Sequence, residues 1–254
     1  MLMIARKFNR GLRAVWLGAA LAAILAGGAQ ARAVCAFSSP PKVLAEQGEP
    51  GARGSRLLQV WDFADAPVWW SKAEPEGYGA FRTRARRLAG ETDPVKLLKQ
   101  TPSANNRLVA ENAGAWIAPA SCLEKLLFQT QDRRLDTFTA PTEFFGLVLR
   151  SADGARLRVY FYTVNQDGIG RASPISEPAA ADHQAGWTVL AALHNHNFHP
   201  GDLRLNSPLA PSLPDAQFNV NMAKEAGLQS AWITNGLHTA HIPASAFGAM
   251  DRDD

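Results

Sequence analysis

From residue 119 onward the apolar positions fall into clear periods. Ser121-Cys122-Leu123-Glu124 has the form of a capping box, and Leu123, Leu126 and Leu127 follow at helical spacing, which predicts a helix over residues 121–134. Residues 144–149 and 156–164 are apolar or alternating runs joined by Ala152-Asp153-Gly154, a hairpin signal. Residues 165–185 are polar, carry prolines and read as a loop. Residues 187–193 are apolar almost without interruption, as in a strand covered on both faces. A second helix is predicted from Ser212 to a glycine stop at Gly227, followed by strands over residues 228–234 and 238–242. Helix, hairpin, strand, helix and strand in that order imply an α/β (α+β) sandwich around a mixed sheet.

The first half is less regular. Residues 34–56, with Pro40-Pro41 and the glycines between Gly48 and Gly54, read as a linker. Residues 57–116 form an N-terminal extension of unclear fold. In it Trp61, Trp69 and Trp70 signal packing, and Asp93-Pro94 opens a short helix through Gln100. Arg82, Arg84, Arg86 and Arg87 read as a solvated face. Residues 248–254 form an acidic tail. No internal repeat is evident.

The net charge of +3 suggests a basic protein, yet its source is local. Residues 1–33 hold five basic side chains (Arg6, Lys7, Arg10, Arg13, Arg32) and no acidic one, so the remainder has 21 Lys+Arg against 23 Asp+Glu. A nucleic-acid-binding face is not indicated. Those 33 residues have the layout of a signal peptide: a cationic start, an apolar run over residues 14–29, and Ala-Gln-Ala or Ala-Arg-Ala before residue 34. The expectation is a periplasmic or secreted protein that meets the membrane only through this segment, an uncleaved anchor being the alternative. The two cysteines, Cys35 and Cys122, allow either one disulfide closing a long loop or two unpaired thiols with Cys122 buried in a helix.

The chemistry concentrates where the buried strand ends, at Leu193-His194-Asn195-His196-Asn197-Phe198-His199-Pro200. Side chains at i and i+2 of an extended chain share a side, so His194 and His196 can meet at one ion, and imidazole suits zinc. Ser212 and Asp215 form a capping box that opens the second helix. From that first turn Asp215 can supply a third ligand, leaving a fourth position for water, as catalytic zinc requires. Glu143, at the start of an apolar strand, is the candidate general base. His199 is a further candidate ligand, although it would close the open position. His183, His238 and His241 read as surface or strand residues.

Together these elements resemble the JAB/MPN metalloprotease family, also called JAMM, over residues 117–247. Pro141-Thr142-Glu143-Phe144-Phe145-Gly146-Leu147 is similar to the family's Pro-x-Glu-x-x-Gly-Leu segment, His194-Asn195-His196 to its histidine pair, and Ser212-Leu213-Pro214-Asp215 to its Ser-x-x-Asp. The resemblance implies zinc held by His194, His196 and Asp215, and a water activated by Glu143. Ser212 would orient the site or stabilise an oxyanion, and the substrate would be a peptide or isopeptide bond of a protein or peptide. Three features depart from the family. Asn195 stands where the family has Ser or Thr, Asn197 stands where it has Pro, and the spacer from His196 to Ser212 is longer. These departures motivate two alternatives: a non-catalytic scaffold for protein interaction, and a zinc amidohydrolase acting on a small amide. Oligomeric state is not encoded in any of these signals.

Overall fold

The computed structural model describes residues 34–100, 103–166, 168, 174–199 and 208–250. The segment read as a signal peptide and residues 251–254 of the acidic tail lie outside the described residues. Along the chain, β1 (Lys42–Gln47) and β2 (Arg56–Ala64) precede four helices, α1 (Pro67–Trp70), α2 (Tyr78–Leu88), α3 (Pro94–Gln100) and α4 (Ala104–Ala110). After β3 (Trp116–Pro119) and α5 (Cys122–Arg134) come β4 (Phe144–Arg150), β5 (Arg156–Thr163), α6 (Ser176–Gln184) and β6 (Thr188–Asn195). The chain ends with α7 (Leu213–Ala226), β7 (Ser230–Thr234), β8 (His238–Pro243) and α8 (Phe247–Met250). No helix among the described residues is long and apolar enough to cross a membrane.

The strands form one eight-stranded mixed sheet in the order β1-β2-β5-β4-β6-β7-β8-β3. Every pairing is antiparallel except β6 with β7. Each face has its own core. On one, Leu147, Ala192, Ile233 and Ala240 pack with Ala216 of α7 and Phe247 of α8. On the other, Val148, Phe161 and Leu193 pack with Leu123 and Leu127 of α5 and with Phe81 of α2. The near-continuous apolar run before His194 thus has the expected cause, a strand with helices on both sides.

The parallel step from β6 to β7 positions the site. Parallel neighbours cannot be joined by a tight turn, so the chain must return across the sheet, and α7 makes that return. Its N-terminus therefore comes back over the end of β6, where the histidines are. Ser212 caps α7 and Gly227 ends it with φ +65°, a left-handed conformation that glycine adopts without Cβ strain. Ser121 and Glu124 form the reciprocal capping box at the start of α5.

The structure adds elements the pattern did not show. The stretch read as a linker contains β1, a fully exposed edge strand recognisable only by its pairing with β2. The extension belongs to the same sheet, with β2 beside β5 and β3 beside β8 at the far edge. The stretch read as a loop contains α6, whose buried residues are only Ala179 and Asp182. The tail begins inside α8, where Met250 is buried.

Cys35 and Cys122 are joined by a disulfide across 87 residues, and both are buried. It anchors the start of the described chain to the first turn of α5. Closing a loop of that length restricts the unfolded chain, a contribution of about 4 kcal/mol. Replacing both cysteines with serine is expected to lower the unfolding free energy by about 2–5 kcal/mol in chemical denaturation. An unchanged transition would show that the bridge constrains nothing.

Candidate metal centre

Three ligand atoms converge where β6 ends and α7 begins. His194 Nε2 and His196 Nε2 are 3.2 Å apart, and Asp215 Oδ2 lies 3.5 Å from the first and 3.9 Å from the second. A tetrahedral ion with bonds of about 2.0–2.1 Å holds its ligand atoms about 3.3 Å apart. The observed triangle is that size or slightly larger, so one ion fits with little adjustment. Among the described residues, this is the only group of three or more His, Cys, Asp or Glu side chains able to hold an ion. His199 is not part of it.

Two of the three residues, His196 and Asp215, are oriented from behind. His196 Nδ1 lies 2.5 Å from the carbonyl oxygen of Pro208. A carbonyl only accepts, so Nδ1 carries the proton and the Nε2 lone pair faces the cluster. The backbone N–H of His196 donates to Thr234 O at 2.9 Å, which extends the β6–β7 pairing beneath the ring. Asp215 Oδ2 accepts from the backbone N–H of Ser212 at 2.9 Å and from its hydroxyl at 2.6 Å. The hydroxyl hydrogen is thus directed at the ligand carboxylate, which makes Ser212 a group that holds Asp215. An acidic side chain in the first turn of α7 is also favoured by the helix dipole.

The electrostatics match this geometry. Burial alone would raise the Asp215 pKa, but the charge and hydrogen bonding of His194, the charge of His196 and the Ser212 hydroxyl outweigh it and hold the carboxyl far below the usual range. Burial alone would lower the His194 pKa, yet the charge and hydrogen bond of Asp215 raise it, and the charge of Glu143 acts in the same direction. Two ring nitrogens and a carboxylate facing one another require a cation between them, either a proton or a metal.

Glu143 reaches the site from β4. The β4–β6 ladder ends with Phe145 opposite His194, two residues from Glu143, whose charge acts on His194. Alternation puts Glu143 on the face that Phe145 presents to Phe218 of α7, their rings meeting edge-on at 5.1 Å. Its carboxylate is not one of the three converging groups.

The sequence pattern missed the groups that hold this strand end. Asn195 and Asn197 are fully buried at 0% and 2% exposure. Asn195 Oδ1 accepts the backbone N–H of Phe144 at 2.6 Å, and its Nδ2 donates to the carbonyl of Thr142 at 3.0 Å. Asn197 Nδ2 donates to the same carbonyl at 2.8 Å, and Asn195 Nδ2 also donates to Asn197 Oδ1 at 2.9 Å. Behind them, Gln131 of α5 donates to Thr142 Oγ1 at 2.7 Å, and Thr163 Oγ1 donates to the carbonyl of Glu143 at 3.1 Å. The available signal was two amides at the end of an apolar strand, where a buried polar group must find partners.

No protein-family model, curated protein or solved structure matches the chain. The site is therefore defined by its own geometry.

That geometry separates ligand from support. His194→Ala and His196→Ala are expected to abolish uptake of one divalent metal ion per chain, measured by elemental analysis after loading and dialysis. Ser212→Ala should retain the stoichiometry with about 10–100-fold weaker affinity and cost about 1 kcal/mol of stability as a lost cap. Equal affinity in Ser212→Ala and wild type would show that the hydroxyl does not support the ligand.

Proposed function

We propose that this chain is a zinc-dependent amide hydrolase of JAB/MPN (JAMM) type, acting on a peptide or isopeptide bond of a protein or peptide outside the cytoplasm. One observation carries the reading: among the described residues His194, His196 and Asp215 form an ion-sized triangle of three ligand groups, with Glu143 next to the start of β4, the antiparallel neighbour of β6. The two-His, one-carboxylate set fits zinc, and the Ser-x-x-Asp order supports the family assignment. The cationic and apolar start of the sequence and the Cys35–Cys122 bond support an oxidising compartment.

Zinc bound here supplies a Lewis acid that lowers the pKa of a coordinated water to about 7 and polarises the scissile carbonyl. The chain's residues do the rest. Glu143 takes the proton of the attacking water and returns it to the leaving amine, so the amide breaks without releasing an amide anion. His196, with its Nδ1 proton on Pro208 O, keeps Nε2 directed at the centre. Asp215, held by the cap of α7, supplies the negative charge.

In a panel of peptide, isopeptide and small-amide substrates, Glu143→Gln should retain one zinc per chain and lose at least about 100-fold in turnover. Zinc-loaded wild-type protein that cleaves only small amides would reassign the substrate. Protein that binds zinc and cleaves none of the panel would favour the scaffold.

A further inference from the structure

The Asn195–Asn197 pair does more than satisfy buried polar groups. Regular β4–β6 pairing begins at Phe145 and His194, so the ladder no longer holds the chain around Glu143 to β6. At that point the Asn195 side chain acts as a ladder rung in its own right. Its amide accepts from Phe144 N–H and donates to Thr142 C=O, the two main-chain groups that flank Glu143 on either side. Asn197 adds a second donor to Thr142 C=O and is itself bonded to Asn195. Three hydrogen bonds thus bracket one residue, a fourth joins the two amides, and both side chains come from the segment that carries the histidines. The direction of the Asn195 amide is fixed, because only its oxygen can accept the Phe144 N–H and only its nitrogen can donate to Thr142 C=O, and Asn197 is fixed in turn by donating to that carbonyl and accepting from Asn195.

The geometry points to Asn195 and Asn197 as positioning residues that set Glu143 against the fourth coordination position of the His194–His196–Asp215 centre. The inference rests on the proposed hydrolase reading, and it explains the two positions at which the histidine segment departs from the family pattern. Neither asparagine can reach the metal through the amide just described, since each is committed to the Glu143 strand. Their effect on chemistry passes through Glu143.

The test uses cobalt-loaded protein and acetohydroxamate, a ligand for the metal that also hydrogen-bonds a carboxylate placed as Glu143 is. Binding is followed by the change in the visible cobalt spectrum. Glu143→Gln should weaken hydroxamate binding about tenfold, the scale of one hydrogen bond to a charged group. Asn195→Ala should weaken it by a similar factor with unchanged cobalt content, and the double variant should bind no more weakly than Glu143→Gln alone. Should Asn195→Ala fold poorly, Asn197→Ala, which leaves the Asn195 rung in place, should show the same non-additivity with a smaller loss.

Wild-type affinity in both asparagine variants would overturn the inference. So would losses in the double variant that multiply, because the asparagines would then act independently of Glu143. Wild-type protein that takes up cobalt but does not bind the hydroxamate overturns it while leaving the metal centre standing. Protein that takes up no cobalt removes the metal centre, and the positioning role falls with it.

Discussion

The seam between β4 and β6 delivers two of the three parts of the candidate site to the same place. Antiparallel pairing sets the start of β4 beside the end of β6, so a carboxylate just before the first strand and a histidine pair at the end of the second lie at the same end of one ladder. The face is fixed by the same pairing: a slip of one residue would turn Glu143 away from the histidines. The helices on either side resist such a slip, because Phe144, Val148 and Leu193 are embedded in the core beneath α5 while Leu147 and Ala192 are embedded beneath α7. The site's precision thus derives from burial on both faces of the central strands.

The third element arrives by a different constraint. Because β6 and β7 are parallel, α7 must cross back, and its N-terminus has to lie near the end of β6. The residue types favoured at a helix start are those that can also hold an ion. Asp215 Oδ2 accepts from the Ser212 backbone and hydroxyl and faces both imidazoles. The oxygen that takes part in the cap is therefore the one that faces the histidines, and the cap restricts the rotamer that would ligate an ion there.

Much of this was legible in the sequence because the relevant segments are long and strongly patterned. The helix after Ser121, the hairpin around Gly154, the buried strand before His194 and the helix from Ser212 to Gly227 all have the expected type, as has the short helix opened by Asp93-Pro94. What could not be read was structure without an apolar signature. β1 is exposed along its whole length, and α6 buries only a small and a charged residue. In α2 the buried stripe of Tyr78, Phe81 and Ala85 is interleaved with arginines, of which Arg82 pairs with Glu74 and Arg84 with Asp136. A charge run read as a solvated face thus includes two cross-links that fasten α2. Within the site, residue types singled out the three side chains that converge, but the contacts of the asparagines depend on which backbone groups lie opposite them. Only the three-dimensional register supplies that.

The asparagines and the long spacer, at which the chain differs from the JAB/MPN pattern that it resembles, become coherent in physical terms once the exit and return of the segment after His196 are considered together. A proline at position 197 would offer no side-chain donor, whereas Asn197 provides one to Thr142 C=O at the point where the chain leaves the sheet. When the chain returns, the carbonyl of Pro208 receives the Nδ1 proton of His196. The long spacer is thus tied to the site at both ends, on the Glu143 strand at its exit and on a ligand at its return. A shorter spacer would have to place another acceptor behind His196, or leave the tautomer of that ligand unset. Length, asparagines and ligand orientation form one arrangement, and a change in any one of them acts on the other two.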